Sequence, residues 1–472
     1  MSYTGYSLEQ STYAPPEFNY PPQPSTVGTA ILLVGLFIGF SLSASAETPS
    51  LMARSVAIPA VITLAISIFL DAQRGLRNLF RVDLMCLASL YFLTLVEFLF
   101  PQEDFDDWLT LEQTAKGLAI IVIGMGALAI GRHLVKPKPV YSKWLRFEDI
   151  STKTIFQIFL GAAFLGYLYM LLSVDFDIIR MINAMMGPRF SEPWTRGIYG
   201  GWNTFLTELA LLAFLIPPLA GVILNRRKDL SNFQLLIVFA IFALTMFKGF
   251  AGGTRNIFAA YCATFVGSYL LTLPRYNLRN TILPLVLTGV FFVNASYHML
   301  EFRTIGLRNY IQNQVYESEG VRDTLAVDYN LNSLAIIADA VPANHDFLGL
   351  EIIHWSLIKP IPRVLYPGKP LGLSVSIEEI AGVQGYTLAA TYLGESYLMA
   401  GYFGVIVMSL FFGAFAAWWN RLALQRQSAY AMTVFALGFF VAGITMRSML
   451  EFTTLALPVI ALVVFNKFFL QK

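Results

Sequence analysis

The stretch FKGFAGGTRNIFAAY, residues 247–261, sets a lysine, three glycines and an arginine between two apolar runs. Residues 231–247 and 256–273 are each long enough to cross a bilayer as a helix, which needs about 20 mostly apolar residues. The turn between them is too short to carry Lys248 and Arg255 far into water. Two crossings joined by a short basic turn describe a polytopic membrane protein, and the pattern recurs along the chain. Of its 472 residues, 56% are hydrophobic and 13% charged, with a mean hydropathy of +0.61. Soluble domains carry roughly 25% charged residues.

Cys86 and Cys262 both lie inside apolar segments, so neither a disulfide framework nor a zinc site is expected. His133, His298, His345 and His354 show no metal-ligand spacing. The net charge of +2 says little in itself, and no nucleic-acid partner is expected. The first 26 residues contain YAPPEFNYPPQPS and no basic residue, and read as a disordered cytoplasmic tail without a cleavable signal.

The hydropathy window gives an all-α fold of twelve spans, near 27–46, 55–71, 82–100, 114–135, 152–174, 204–224, 231–247, 256–273, 280–296, 391–418, 429–446 and 452–468. Nine crossings (27–296) precede a large loop at 297–390, and three follow it at 391–472. With the N-terminus inside, the cytoplasmic connections hold 18 Lys and Arg residues and the short outer ones eight. That bias places both termini in the cytoplasm. Loop 101–112 is acidic, as an outer loop should be, and its EDFDD run reads as a solvated turn. Lys248 and Arg255 fall on the side where basic residues should be scarce. An arginine at mid-helix costs about 2.5–3.5 kcal/mol, and less near the interface. Something on the outer face wants positive charge.

The large loop is rich in Leu, Ile, Tyr and Trp, which a linker is not. Residues 300–315 read as a helix along the membrane surface, 331–341 as a short helix, and 347–360 as a buried or interfacial one. KPIPRVLYPGKP, 359–370, has four prolines in twelve residues. It cannot be helical, and an extended, stiff path carrying Lys359, Arg363 and Lys369 is expected. Glu395 enters span ten among Tyr392, Tyr397 and Tyr402. Arg447 and Glu451, four apart, read as a helical i,i+4 pair.

The outward basic residues are Arg189, Arg196, Lys248, Arg255, Arg303, Arg308, Lys359, Arg363, Lys369 and Arg447. Guanidinium forks pair bidentately with phosphate oxygens. Gly249, Gly252 and Gly253 allow close backbone approach. Trp194, Tyr199, Trp202 and Trp355 suit stacking on sugars. The expected ligand is a lipid-tailed phosphate bearing a sugar head, gripped at the outer leaflet.

KGFAGGTRN is similar to the Gly–Arg turn of bacterial polysaccharide polymerases. LIKPIPRVLYPGKP, followed by ATYLGESYLMAGYFGVIVMSLFFG, resembles the signature of Wzy-type O-antigen or oligosaccharide repeat-unit polymerases more specifically. The spacing from Arg189 to Gly200 also occurs in some of them. The resemblance implies a C-type membrane glycosyltransferase of the bacterial inner membrane, metal-independent and without a cofactor, working on the periplasmic side. A growing glycan would pass from undecaprenyl diphosphate to the non-reducing end of a lipid-linked repeat unit, beside a flippase and a chain-length regulator. Arg255 and Arg363 would hold the diphosphate, with Lys369, Arg303, Arg189 and Lys248 next. Glu395 would be the general base or orient the acceptor beside Tyr397, with Glu301 and His298 weaker candidates. An O-antigen ligase is the alternative, and a transporter or flippase of lipid-linked sugars the second. The absence of an evident internal repeat counts against a transporter.

Overall fold

Hydroxyl side chains open most of the long apolar runs. Ser25, Thr48, Ser151 and Ser428 each accept from the backbone N–H three residues on. Thr110 with Gln113 and Ser231 with Gln234 form capping boxes. A computed structural model describes residues 22–136, 138, 142–194, 203–274, 278–312, 327, 329–380, 382 and 389–471. The predicted tail lies almost wholly outside them, as do Arg196, Tyr199, Gly200 and Trp202.

In chain order the helices are α1 Thr26–Ser43, α2 Pro49–Gln73, α3 Val82–Thr94, α4 Leu111–Gly131, α5 Thr152–Ser173, α6 Ile178–Met185, α7 Asn203–Leu209, α8 Ile216–Asn225, α9 Asn232–Ala251, α10 Arg255–Leu271, α11 Leu278–Phe302, α12 Leu307–Gln312, α13 Asn330–Ala340, α14 Glu351–Ile358, α15 Ile377–Ile380, α16 Thr391–Trp419, α17 Ala429–Arg447 and α18 Phe452–Phe465. Among the described residues ten helical stretches are long and apolar enough to cross a membrane, α7 and α8 counting as one. Of the twelve predicted spans, two fall to shorter helices, the 13 residues of α3 and the 17 of α10. Helix α17 is the central post, packed by α3, α8, α10, α16 and α18, whereas α9 and α11 stand at the edge.

One end of the bundle is tied by a buried charge knot. Arg81 Nη2 meets Asp71 at 2.7 Å and its Nε meets Asp83 at 3.1 Å. Arg132 lies 3.8 Å from Asp83, and Asn420 donates to Asp83 at 2.5 Å. The knot joins the ends of α2, α3, α4 and α16. Arg81 and Arg132, two of the cations counted in the cytoplasmic connections, are therefore buried, each beside a carboxylate as a buried charge requires.

Span ten is not one straight helix. Ala400 (φ −162°, ψ 36°) and Gly401 (φ 61°, ψ −147°) break α16 into 391–399 and 402–419. The Tyr392 hydroxyl lies 3.0 Å from that of Ser409, and the Tyr392 and Phe412 rings are 5.3 Å apart. Residues 17 apart on a straight helix are separated by ~26 Å, so the first segment folds back along the second. A Cβ on Gly404 would come within 2.1 Å of the Ser396 carbonyl, which shows how closely the arms pack. Carbonyls freed at the break accept from the loop before α14: Leu348 N–H to Leu398 at 2.8 Å and Gly349 N–H to Met399 at 3.1 Å. The two carbonyls are thereby paired, as a break in an apolar helix requires.

The large connection is largely packed. Helix α13 lies between α4 and α16, with Leu331, Leu334, Ala335 and Ile337 fully buried. Glycines 117 and 394 give it room, because a Cβ on either would crowd its backbone or leucines. Lys116 pairs with Asp339 at 2.8 Å over its end. The surface helix expected at 300–315 is instead the end of α11, a turn, and α12; 313–315 lie outside the described residues. Residues 359–370 do not run extended. Successive turns close there, with Leu365 N–H on the Pro362 carbonyl at 2.9 Å and Lys369 N–H on that of Tyr366 at 3.1 Å. Prolines forbid the helix but are equally at home in tight turns.

Candidate functional site

The α9–α10 turn is built by its glycines. Gly252 N–H closes on the Lys248 carbonyl at 3.1 Å, and Gly253 on that of Phe250 at 3.0 Å. Gly253 has φ +63°, the left-handed conformation common past a helix end. It also lets the α11–α12 corner approach: a Cβ there would sit 3.2 Å from Arg303 Cα. Arg255 opens α10 immediately afterwards.

That corner carries the next basic residues. Arg303 accepts at its carbonyl from Arg189 N–H at 3.2 Å, and Arg308 N–H donates to Met186 at 3.0 Å. Gly306, at φ +86°, allows the contact, since a Cβ there would lie 2.6 Å from the Gly187 carbonyl carbon. The segment after α6 is thereby stitched onto the corner. The Arg189 guanidinium lies over Phe190 at 4.3 Å.

Arg255 Nη2 donates to the Val327 carbonyl, while Val327 N–H donates to buried Glu97 at 2.9 Å. Asn256, its amide oxygen turned to the guanidinium, accepts from Arg447 Nε and Nη1 at 3.0 and 3.1 Å. Half-buried Lys248 lies 5.4 Å from the Tyr167 ring centre, and Glu192 supplies a compensating charge. Arg189, Lys248, Arg255, Arg303 and Arg447 thus come from five segments to one end of the bundle, opposite the buried knot.

Arg363 and Lys369 are engaged elsewhere. Arg363 donates to the carbonyls of Lys369 and Pro370 at 2.5 and 2.7 Å. Lys369 donates to those of Lys359 and Ile361 at 2.6 and 2.9 Å and lies 5.4 Å from the Trp355 ring centre. These cations staple their own turn. Lys359 reaches out of it to Glu451. Arg447 and Glu451 are not helical neighbours, because the helix stops at Ser448 (φ −159°) between them.

Glu395 is 3% exposed. Its two oxygens accept from Ser448 Oγ and Met449 N–H, each at 2.5 Å. The carboxylate caps the α17–α18 turn, which Ser356 also holds by donating to the Met449 carbonyl at 3.0 Å. Tyr397 is buried beneath Phe347 and Tyr402, with its hydroxyl 3.4 Å from the Val341 carbonyl.

His298 and Glu301 are joined by a residue the sequence did not single out for chemistry. Tyr310, from α12, donates to Glu301 and lies 3.0 Å from His298 Nδ1. Its phenol is pushed up to about 12, first by that bond to Glu301. Glu97, Asn256 and Tyr329, whose hydroxyl donates to Gln102 at 2.8 Å, were likewise missed. Each finds its partner far away in sequence, where no local pattern records it.

A separate cavity of about 70 Å³ lies between α3, α16, α17 and α18. Its walls, Phe412, Phe415, Val441, Met446, Phe452 and Ala456 among them, are apolar. Met446 is the residue before Arg447.

A family described as a domain of unknown function, DUF8712, matches residues 331–454. That span covers α13, α14, the stapled turn, the folded-back α16 and the α17–α18 turn, but none of Arg189, Lys248, Arg255 and Arg303. No curated protein and no solved structure matches the chain.

Proposed function

We propose that this protein is a repeat-unit polymerase of the O-antigen type, a metal-independent membrane glycosyltransferase. On this reading the chain crosses the bacterial inner membrane twelve times, α3 and α10 included, with both termini in the cytoplasm and the arginine end in the periplasm. The observation that carries it is the convergence of Arg189, Arg255, Arg303 and Arg447 on one end from separate segments. A diphosphate accumulating charge as it leaves is stabilised by guanidiniums held at one end of a low-dielectric bundle. The apolar cavity lined by Met446, Phe452 and Ala456 takes a stretch of the polyprenyl tail. Arg363 supports the loop rather than the diphosphate.

The test is purified protein given undecaprenyl diphosphate-linked repeat units alone. A ladder of lengthening products is expected, and Arg255→Ala or Arg303→Ala should slow it by about 10²-fold, the scale of losing one preorganised charge-stabilising donor. Arg363→Ala should slow it less. Wild-type rates in both Arg255→Ala and Arg303→Ala would sink the assignment. Transfer that appears only when a lipid A-core acceptor is added would make the protein a ligase.

A further inference from the structure

A reaction that attacks a glycosyl diphosphate with a hydroxyl needs a group to receive the hydroxyl proton. Glu395 has both oxygens committed to the α17–α18 turn. The α11–α12 corner offers another arrangement. A phenol has one proton to give, and Tyr310 gives it to Glu301. The contact between Tyr310 and His298 Nδ1, 3.0 Å long, is then satisfied only if Nδ1 carries hydrogen and donates to the phenol oxygen. With Nδ1 protonated, the lone pair of the neutral imidazole sits on Nε2. The His298 side chain is 41% exposed. Serine hydrolases use the same logic, a carboxylate fixing the tautomer of a histidine base, with no phenol between.

We propose that His298 is the general base of this transferase, with Tyr310 and Glu301 its positioning residues; the assignment rests on the polymerase reading above. In the step, the acceptor O–H proton moves to Nε2 as the acceptor oxygen bonds to the donor's anomeric carbon. The bond from that carbon to the diphosphate oxygen breaks, and its electron pair leaves with undecaprenyl diphosphate. The imidazolium then returns its proton to water. The corner supplies both halves of the chemistry. Arg303 leads the turn against Gly253, and the corner is braced by Met299, Phe302 and Leu307 packing on Ala251, Phe258 and Cys262. Tyr297 stands edge-on to the imidazole with ring centres 5.4 Å apart. Arg303 and Arg308 are the cations on the same corner.

Three variants test this on the full-length protein with undecaprenyl diphosphate-linked repeat units. His298→Ala should lower kcat by about 10²-fold or more with little change in KM, the usual scale for a lost general base, and added imidazole should restore part of it. Tyr310→Phe keeps the ring on Phe302 but breaks the relay. It should lower kcat about tenfold and convert the His298 ¹⁵N spectrum from one tautomer to a mixture, and Glu301→Gln should do the same. A wild-type ladder with undiminished kcat in His298→Ala overturns this assignment and leaves the polymerase reading standing. So does an inactive His298→Ala that imidazole does not rescue beside a Tyr310→Phe of wild-type rate. No ladder from the wild type overturns both readings.

Discussion

Replacing Glu395 separates a catalytic carboxylate from a structural one. In Glu395→Ala, Ser448 Oγ and Met449 N–H lose their acceptor in a place where Glu395 itself was only 3% exposed. Leaving a buried donor unsatisfied costs about 1–3 kcal/mol, so two such donors cost about 2–6 kcal/mol. Whole domains are stable by only about 5–15 kcal/mol. Glu395→Gln keeps the shape and one acceptor oxygen, and loses roughly half as much. Unfolding of the detergent-solubilised protein, followed by tryptophan fluorescence, should therefore rank wild type above Glu395→Gln above Glu395→Ala. Glu395→Gln should still build polymer at a temperature where it is folded. The opposite pattern refutes the reasoning: Glu395→Ala unfolding with the wild type while polymer formation stops in both variants. The carboxylate would then be serving substrate, and the α17–α18 turn would be holding itself.

Gly401→Ala should destabilise the protein by about 1–3 kcal/mol, because φ 61° with ψ −147° belongs to glycine and a Cβ would meet the Phe347 ring at 3.2 Å. A wild-type midpoint in the same unfolding assay would mean that α16 does not fold back at this residue. Ala456→Phe fills the apolar cavity and should raise KM about tenfold for a full-length undecaprenyl donor, the effect of excluding about two buried methylenes. A farnesyl-tailed donor should be spared; equal losses for both tails would place the chain elsewhere.

What the sequence discloses is what the bilayer itself demands. Long apolar runs have to be helices because lipid offers the backbone no partner, and so 231–247 and 429–446 are legible on sight. The glycine turn before Arg255 is legible too, since few other residues reach its geometry. The fold-back of α16 is hidden for the same reason that the spans are visible. Residues 391–399, with Thr391, Glu395 and Ser396, are less apolar than 402–419, but they adjoin that run without a polar break, and a hydropathy window cannot distinguish one crossing from two antiparallel arms. Only Gly401 marks the place, among other glycines that sit in unbroken helix. Four prolines in 359–370 exclude a helix, but the expected extension did not follow from them, because proline suits tight turns as well. Arg363 and Lys369 show the limit for charges. Whether a cation serves a ligand or a neighbouring carbonyl depends on partners up to ten residues away within a turn whose shape is unknown beforehand.

The two groups of residues meet at one point, and that point decides how the protein works if it works as proposed. The polar ties within 331–454 run from Ser356 and Lys359 to Met449 and Glu451, and from Glu395 to Ser448 and Met449. They make a frame of polar contacts around the α17–α18 turn. Arg189, Arg255 and Arg303 lie outside that frame, on turns shaped by Gly253 and Gly306. Arg447 is the last residue of α17, directly before the serine that Glu395 holds, and it reaches Asn256 beside Arg255. Movement of the capped turn therefore moves one guanidinium against the others. Under the proposed function the buried Glu395 carboxylate would bear on the spacing of the cations through the turn it caps, and a bidentate anion site tolerates little error in that spacing. On the proposed function, the frame would contribute to catalysis through geometry, by way of Arg447.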